Sequence, residues 1–212
     1  MQESQRRSEI VERLAKSYPG SAEALCELRF GSPFQLLAAT ILSAQCTDER
    51  VNAVTKVLFV AYPSASEMAN AEIGELERLI YPTGFFRNKA KSLIGMAQAI
   101  ASRGGDVPTT IEELTKLPGV GRKTANVLLS VAFGLPGLPV DTHVARLSSR
   151  LGLTKSKDPV QIEKDLLAWV APGDTGGLSL RLILHGRRVC AARRPACGEC
   201  VLADICPAAE TF

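Results

Sequence analysis

Four of the six cysteines fall in the last quarter of the chain, as Cys190-x6-Cys197-x2-Cys200-x5-Cys206. Four thiols within seventeen residues are too close in sequence to pack as separate core residues, so they must share something. Structural zinc more often uses two matched knuckles, each a tight turn offering two ligands. Here a single CxxC pair stands between two lone cysteines at unequal distances. A cubane cluster tolerates unequal spans, because each thiolate binds a different iron corner. The spacing therefore favours a [4Fe–4S] cluster on Cys190, Cys197, Cys200 and Cys206. Zinc is the next reading. Two disulfides come last, since nothing else points to an oxidising compartment. Cys26 and Cys46 read as buried small apolar residues.

A chain of 212 residues with 46% hydrophobic side chains can build one large core or two small ones. The polar start MQESQRRSEI has no apolar segment of signal-peptide type, and apolar runs such as 34–44 are too short to span a bilayer. A soluble cytoplasmic protein with no membrane partner is expected. The net charge is only +3, but its placement is informative. No acid lies between Glu113 and Asp141, where Lys116, Arg122 and Lys123 occur. None lies between Asp174 and Glu199, against Arg181, Arg187, Arg188, Arg193 and Arg194. Two acid-free basic windows suit a face that meets a polyanion, although each could also be an ordinary solvated helix face.

Apolar residues recur at helical spacing almost throughout, for example Val51, Val54 and Leu58, or Ala90, Leu93, Ile94 and Ala97. Ser64-x-x-Glu67 and Thr110-x-x-Glu113 read as capping boxes, and Asp158-Pro159 as a cap followed by proline at the first helical position. No alternating strand pattern is evident. An all-α fold of about ten short helices follows, with a break at Gly134-Leu-Pro-Gly-Leu-Pro139, which cannot be helical.

Leu117-Pro-Gly-Val-Gly-Arg-Lys-Thr-Ala125 lies between two amphipathic segments. Its glycines permit a tight turn leading into a helix N-terminus, where unpaired N–H groups and the helix dipole attract an anion. With Arg122 and Lys123 following, this predicts a helix-hairpin-helix gripping a nucleic-acid phosphate; a plain glycine-rich turn is the simpler alternative. It is not a Walker loop, because the GxxxxGK[ST] spacing is absent. Lys123 is the candidate nucleophile. A free lysine is almost wholly ammonium at neutral pH. A helix N-terminus and Arg122 favour release of its proton, whereas a nearby carboxylate opposes it. The extended, proline-bearing return after the helix has the reach to bring Asp141 back beside the helix start. Asp141 also reads as an N-cap, which is compatible with a second role.

LPGVGRKTA, then VDTHV, then LILHGRRVC with the cysteine pattern resembles endonuclease III, the iron–sulfur DNA glycosylase and abasic-site lyase family. The resemblance runs from Leu36-Leu-Ala-Ala-Thr-Ile-Leu-Ser-Ala-Gln-Cys-Thr-Asp48 to Cys206. It implies the helix-hairpin-helix DNA glycosylase fold: a six-helix domain, residues 25–135, inserted into a [4Fe–4S] cluster domain made of 1–24 and 136–212. It further implies that Lys123 attacks C1′ of a flipped-out nucleotide, Asp141 assists, and the resulting Schiff base undergoes β-elimination. Gln45 matches the polar residue that fills the hole left by the extruded base. Phe85 matches the opposite-strand wedge, where the family would place an aliphatic residue, and Cys46 stands where a smaller residue is usual. Gly119, Val120, Gly121, Arg122, Arg187 and Arg193 are the further DNA contacts expected. The implied partner is duplex DNA bearing oxidised pyrimidines or abasic sites. The enzyme is expected to act as a monomer, nucleoid-associated when bound.

Two other readings are weaker. An adenine-type glycosylase of the same fold would carry a catalytic acid on the early helix, yet Phe34–Gln45 contains none. A non-catalytic iron–sulfur DNA-binding protein would leave Lys123 and Asp141 as coincidence. His143 and His185 read as packing or phosphate-contact residues rather than ligands.

Overall fold

The computed structural model describes residues 2–211, which are all-helical. Twelve α-helices follow in order among them: α1 (Glu3–Ser17), α2 (Ala22–Leu25), α3 (Pro33–Leu42), α4 (Asp48–Ala61), α5 (Ala65–Ala69), α6 (Ile73–Ile80), α7 (Phe86–Ala101), α8 (Ile111–Leu114), α9 (Arg122–Ala132), α10 (Thr142–Arg150), α11 (Pro159–Leu167) and α12 (Thr175–Arg188). The two beyond the ten expected are single turns, α2 and α8, too short to show periodicity. The chain divides into two compact units, Cys26–Phe133 and the remainder on either side of it.

In the central unit α3 is the axle. Its seven buried side chains, from Phe34 to Leu42, point in every direction, and α4, α7 and α9 pack around it. A helix apolar all round is stable only when enclosed on all sides. Ser32 accepts from the N–H of Gln35 and Pro33 takes the first helical position, which fixes where α3 begins. Helix α9 is buried almost continuously from Ala125 to Val131, so its exposed N-terminus rests on a rigid base.

In the other unit α12 plays the same part, buried from Thr175 to Gly186 and flanked by α1 and α10. A Cβ at Gly186 would lie 2.9 Å from His143 Nδ1, so a glycine lets α10 and α12 approach closely. On α1, Ile10 and Leu14 are fully buried while Val11 is half-exposed. Arg181, counted in the basic window, does not reach the surface. It is 9% exposed and donates to the carbonyls of Tyr18 and Gly20, tying the end of α1 to α12.

Candidate nucleic-acid interface and cluster site

In the central unit the hairpin turn is built on Gly119, whose φ is +77°. A Cβ there would lie 2.6 Å from Ser92 Cβ, so glycine is required both for conformation and for contact with α7. Val120 faces inward: it is 6% exposed and its N–H donates to the Leu117 carbonyl, so it anchors the turn rather than offering a donor outward. Gly121 is the N-cap of α9 and supplies no side-chain acceptor. The first-turn N–H groups of a helix have no intrahelical partner. Arg122 and Lys123 occupy the first two helical positions and are exposed, placing two cations at the positive end of the helix. That combination selects for an anion.

A second feature of this unit lies where two connections meet. Gln45, in the turn between α3 and α4, has φ +55°; Phe85, preceding α7, has φ +48°. Left-handed backbone is costly for both residue types and persists where the surroundings enforce it. Both are exposed, Phe85 to 64%, and both line one open concavity with Thr47, Arg50, Tyr81 and Phe86. Cys46 lines it too and is only half-buried, as is Cys26, contrary to the sequence expectation. Cys46 sits in the turn between α3 and α4 and lines the open concavity rather than the core. Thr40 and Ser43 turn their hydroxyls onto backbone carbonyls of their own helix, at Leu36 and Thr40.

In the other unit Asp141 caps α10. Its Oδ1 accepts from the N–H groups of His143 and Val144, at 2.8 and 2.9 Å. Arg187, Arg188 and Arg193 are exposed, and the Arg188 guanidinium lies over the Tyr18 ring. Cys190, Cys197, Cys200 and Cys206 are free thiols that line one cavity, together with Leu147, Arg150, His185 and Leu202. No group of three or more His, Cys, Asp or Glu among the described residues is placed to hold a metal ion. The donor set nonetheless suits a cluster of several irons. Each sulfur can take its own corner, and donors already reach the sulfurs: Arg150 to Cys190 at 3.1 Å, the Leu202 N–H to Cys200 at 3.4 Å. Burial pushes the Cys200 and Cys206 thiols up, a cost that ligation to cationic iron would offset.

The segment carrying these cysteines has little core of its own. Arginines fasten it instead: Arg150 bonds the carbonyls of Ala191 and Ala192, Arg146 that of Cys190, and Arg13 that of Val201 and the carboxylate of Asp204. His185, 3% exposed, sits between Tyr18 Oη at 3.1 Å and Cys200 Sγ at 3.3 Å, and burial pushes its pKa down. The sequence gives His185 a packing or phosphate-contact role; the contact with the Cys200 sulfur is one that no spacing rule signals. No sequence signal marks Lys89 either, whose ammonium is buried and donates to the carbonyls of Leu42 and Thr83.

Comparison with known proteins accounts for both arrangements. Residues 38–172 match the model of the HhH-GPD superfamily base excision DNA repair proteins, and residues 190–206 match the iron–sulfur binding domain of endonuclease III. The endonuclease III of Synechocystis sp. is 56% identical over 208 residues, covering 97% of this chain and 94% of that protein. Two solved structures, a non-covalent endonuclease III–DNA complex and a trapped endonuclease III–DNA covalent intermediate with an estranged adenine, each superpose with a TM-score of 0.91 at 39% identity. They cover 100% of this chain and 98% and 99% of theirs. The cofactor is a [4Fe–4S] cluster. With the hairpin, the cysteine-bearing segment and this overlap along nearly its whole length, the chain belongs to the endonuclease III family of base excision DNA repair enzymes.

Proposed function

We propose that this DNA glycosylase and abasic-site lyase removes oxidised or ring-saturated pyrimidines from duplex DNA, with Lys123 as nucleophile and Asp141 assisting. The observation that carries the assignment is Lys123 itself, an exposed amine in the uncapped first turn of a rigidly buried helix. The likeness to a trapped covalent endonuclease III–DNA intermediate supports a covalent route.

The chemistry balances in two stages. The amine of Lys123 attacks C1′ of an extruded nucleotide as the C1′–N bond to the base breaks, and the base leaves with the bonding pair and takes up a proton. The nitrogen then gives up one proton, the C1′–O4′ bond breaks with O4′ taking one up, and an iminium that keeps one N–H remains between Lys123 and C1′. Loss of a proton from C2′ then expels the 3′ phosphate, and water regenerates the lysine. Asp141 is suited to moving protons in these steps. Cys190, Cys197, Cys200 and Cys206 would hold the cluster, which would supply a cross-link for a segment otherwise fastened by arginines. Gly119, Gly121 and Arg122 hold a phosphate, and Arg187 and Arg193 contact others. The enzyme works as a monomer on intracellular DNA.

C1′ is out of reach while the base is stacked, and extrusion costs a few kcal/mol, least for damaged bases. A ring-saturated pyrimidine stacks poorly and has a weaker glycosidic bond. Adenine departs poorly unless an acid protonates it, and Phe34–Gln45 offers no carboxylate. In competition at equal enzyme, a thymine-glycol duplex should lose its base before an A:8-oxoguanine duplex loses adenine. Faster loss of adenine would overturn the pyrimidine assignment.

Phosphates carry no sequence information, so arginine contacts to them should act alike on every duplex. Arg187→Ala and Arg193→Ala are each expected to weaken binding to all duplexes and to reduce the slope of log affinity against log salt by about 0.9. An unchanged slope would assign these arginines to the cluster or the surface instead.

A further inference from the structure

Lys89 is 6% exposed, and its ammonium has no carboxylate within salt-bridge distance among the described residues. Its Nζ donates instead to two backbone carbonyls, Leu42 O and Thr83 O, each at 2.8 Å. These belong to different connections. Leu42 ends α3, and the turn that follows carries Gln45. Thr83 ends the short helical turn Tyr81–Thr83, and Gly84 and Phe85 follow it directly. Lys89 itself lies in the first turns of α7, where its own N–H, like that of Asn88, donates to the Phe85 carbonyl.

We propose that Lys89 is a positioning residue that ties the Gln45 turn to the Phe85 turn, so that the two side chains enter the duplex as one rigid pair. The inference rests on the reading of Gln45 and Phe85 as the residues that enter the helix. Burying an ammonium is costly, and a methionine would fill much the same volume without that cost. Packing alone therefore does not call for a lysine here. An ammonium has three donors and no acceptor, which suits it to bridging carbonyls from separate segments. One of the two carbonyls lies at the C-terminal end of α3, the negative end of that helix, where a cation is favoured. Burial pushes the Lys89 pKa down, while the nearby Cys46 acts in the opposite direction. Gln45 and Phe85 both hold left-handed backbone and face the same concavity. Conformations of that kind are kept where neighbouring bonds over-determine them. For an extruding enzyme the value lies in placement: two insertions that arrive in a fixed relation spend less binding energy on ordering themselves.

The test compares Lys89→Met, Gln45→Ala, Phe85→Ala and their combinations. One probe is a duplex carrying a tetrahydrofuran abasic analogue with 2-aminopurine opposite, whose fluorescence rises on unstacking. The other is the ratio of strand cleavage on an abasic duplex to that on a single-stranded abasic oligonucleotide, where nothing needs to be extruded. Gln45→Ala and Phe85→Ala should each lower both readouts. Lys89→Met should lower them about tenfold, the scale of a small misplacement of reacting groups, and should add less than twofold to the Gln45→Ala/Phe85→Ala pair. If Gln45→Ala and Phe85→Ala act but Lys89→Met leaves both readouts unchanged, or adds its full effect to the pair, the tether is overturned while the insertion roles stand. If Gln45→Ala and Phe85→Ala change neither readout, the insertion reading fails, and the tether with it. Should Lys89→Met not fold, hydrogen exchange on the native protein decides. Residues 43–47 and 82–86 should gain protection together on binding the tetrahydrofuran duplex, and protection of only one of them overturns the proposal.

Discussion

Lys123→Gln is expected to yield no protein–DNA adduct when borohydride is added with an abasic duplex, and strand cleavage should fall to the uncatalysed level. Only a primary amine can form the imine that borohydride reduces, and a glutamine amide cannot. The substitution should be silent structurally. Lys123 is exposed in the first turn of α9, glutamine is a good helix former, and the buried face from Ala125 to Val131 is untouched. Folding, measured by thermal unfolding, should therefore match the native protein within about 0.5 kcal/mol, as for most surface changes. DNA binding should weaken only modestly, because Arg122 and the hairpin N–H groups remain. A stable, DNA-binding, inert protein is the expected outcome. An adduct of native yield in this variant would move the nucleophile elsewhere.

Asp141→Asn should lower turnover by a hundredfold or more, about 2.7 kcal/mol of barrier, the scale of losing a positioned proton-transfer group. The case depends on separating two uses of one side chain. The cap of α10 is made wholly through Oδ1, which accepts from both His143 and Val144. Asparagine keeps a carbonyl oxygen in that place and caps helices about as well as aspartate. What it loses is the charge and the second carboxylate oxygen. Stability should consequently change little, while both glycosylase and lyase rates fall. Asp141→Ala, which removes the cap as well, should cost about 1 kcal/mol of stability in addition. Near-normal turnover in Asp141→Asn, measured as single-turnover base release, would leave Asp141 as a helix cap and nothing more.

What the sequence made legible was set locally. The glycines of the hairpin, the cap at Asp141 and the Asp158-Pro159 start each depend on neighbours within four residues, and all appear in the structure. The full capping box forms at Ser64. At Thr110 only half of it is described: Thr110 accepts from the Glu113 N–H, while the Glu113 carboxylate pairs with Arg103. A rival ten residues away is invisible to a four-residue rule. The same limit explains the charged side chains. Arg181 and Lys89 look like surface residues in sequence, since arginine and lysine are seldom buried. Tertiary packing turned both inward, where backbone carbonyls satisfy them: those of Tyr18 and Gly20 for Arg181, and those of Leu42 and the nearby Thr83 for Lys89. Cys46 errs in the other direction, because apolar character says nothing about whether a second layer of structure covers a turn.

The central claim is a covalent mechanism through one identified amine. Its most direct test is to trap the native enzyme on an abasic duplex with borohydride, digest the adduct and locate the modified residue by mass spectrometry. The sugar remnant should lie on Lys123 and on no other lysine or the chain's amino terminus. A remnant on Lys116 or the terminal amine, or strand cleavage without any trapped adduct, would contradict it.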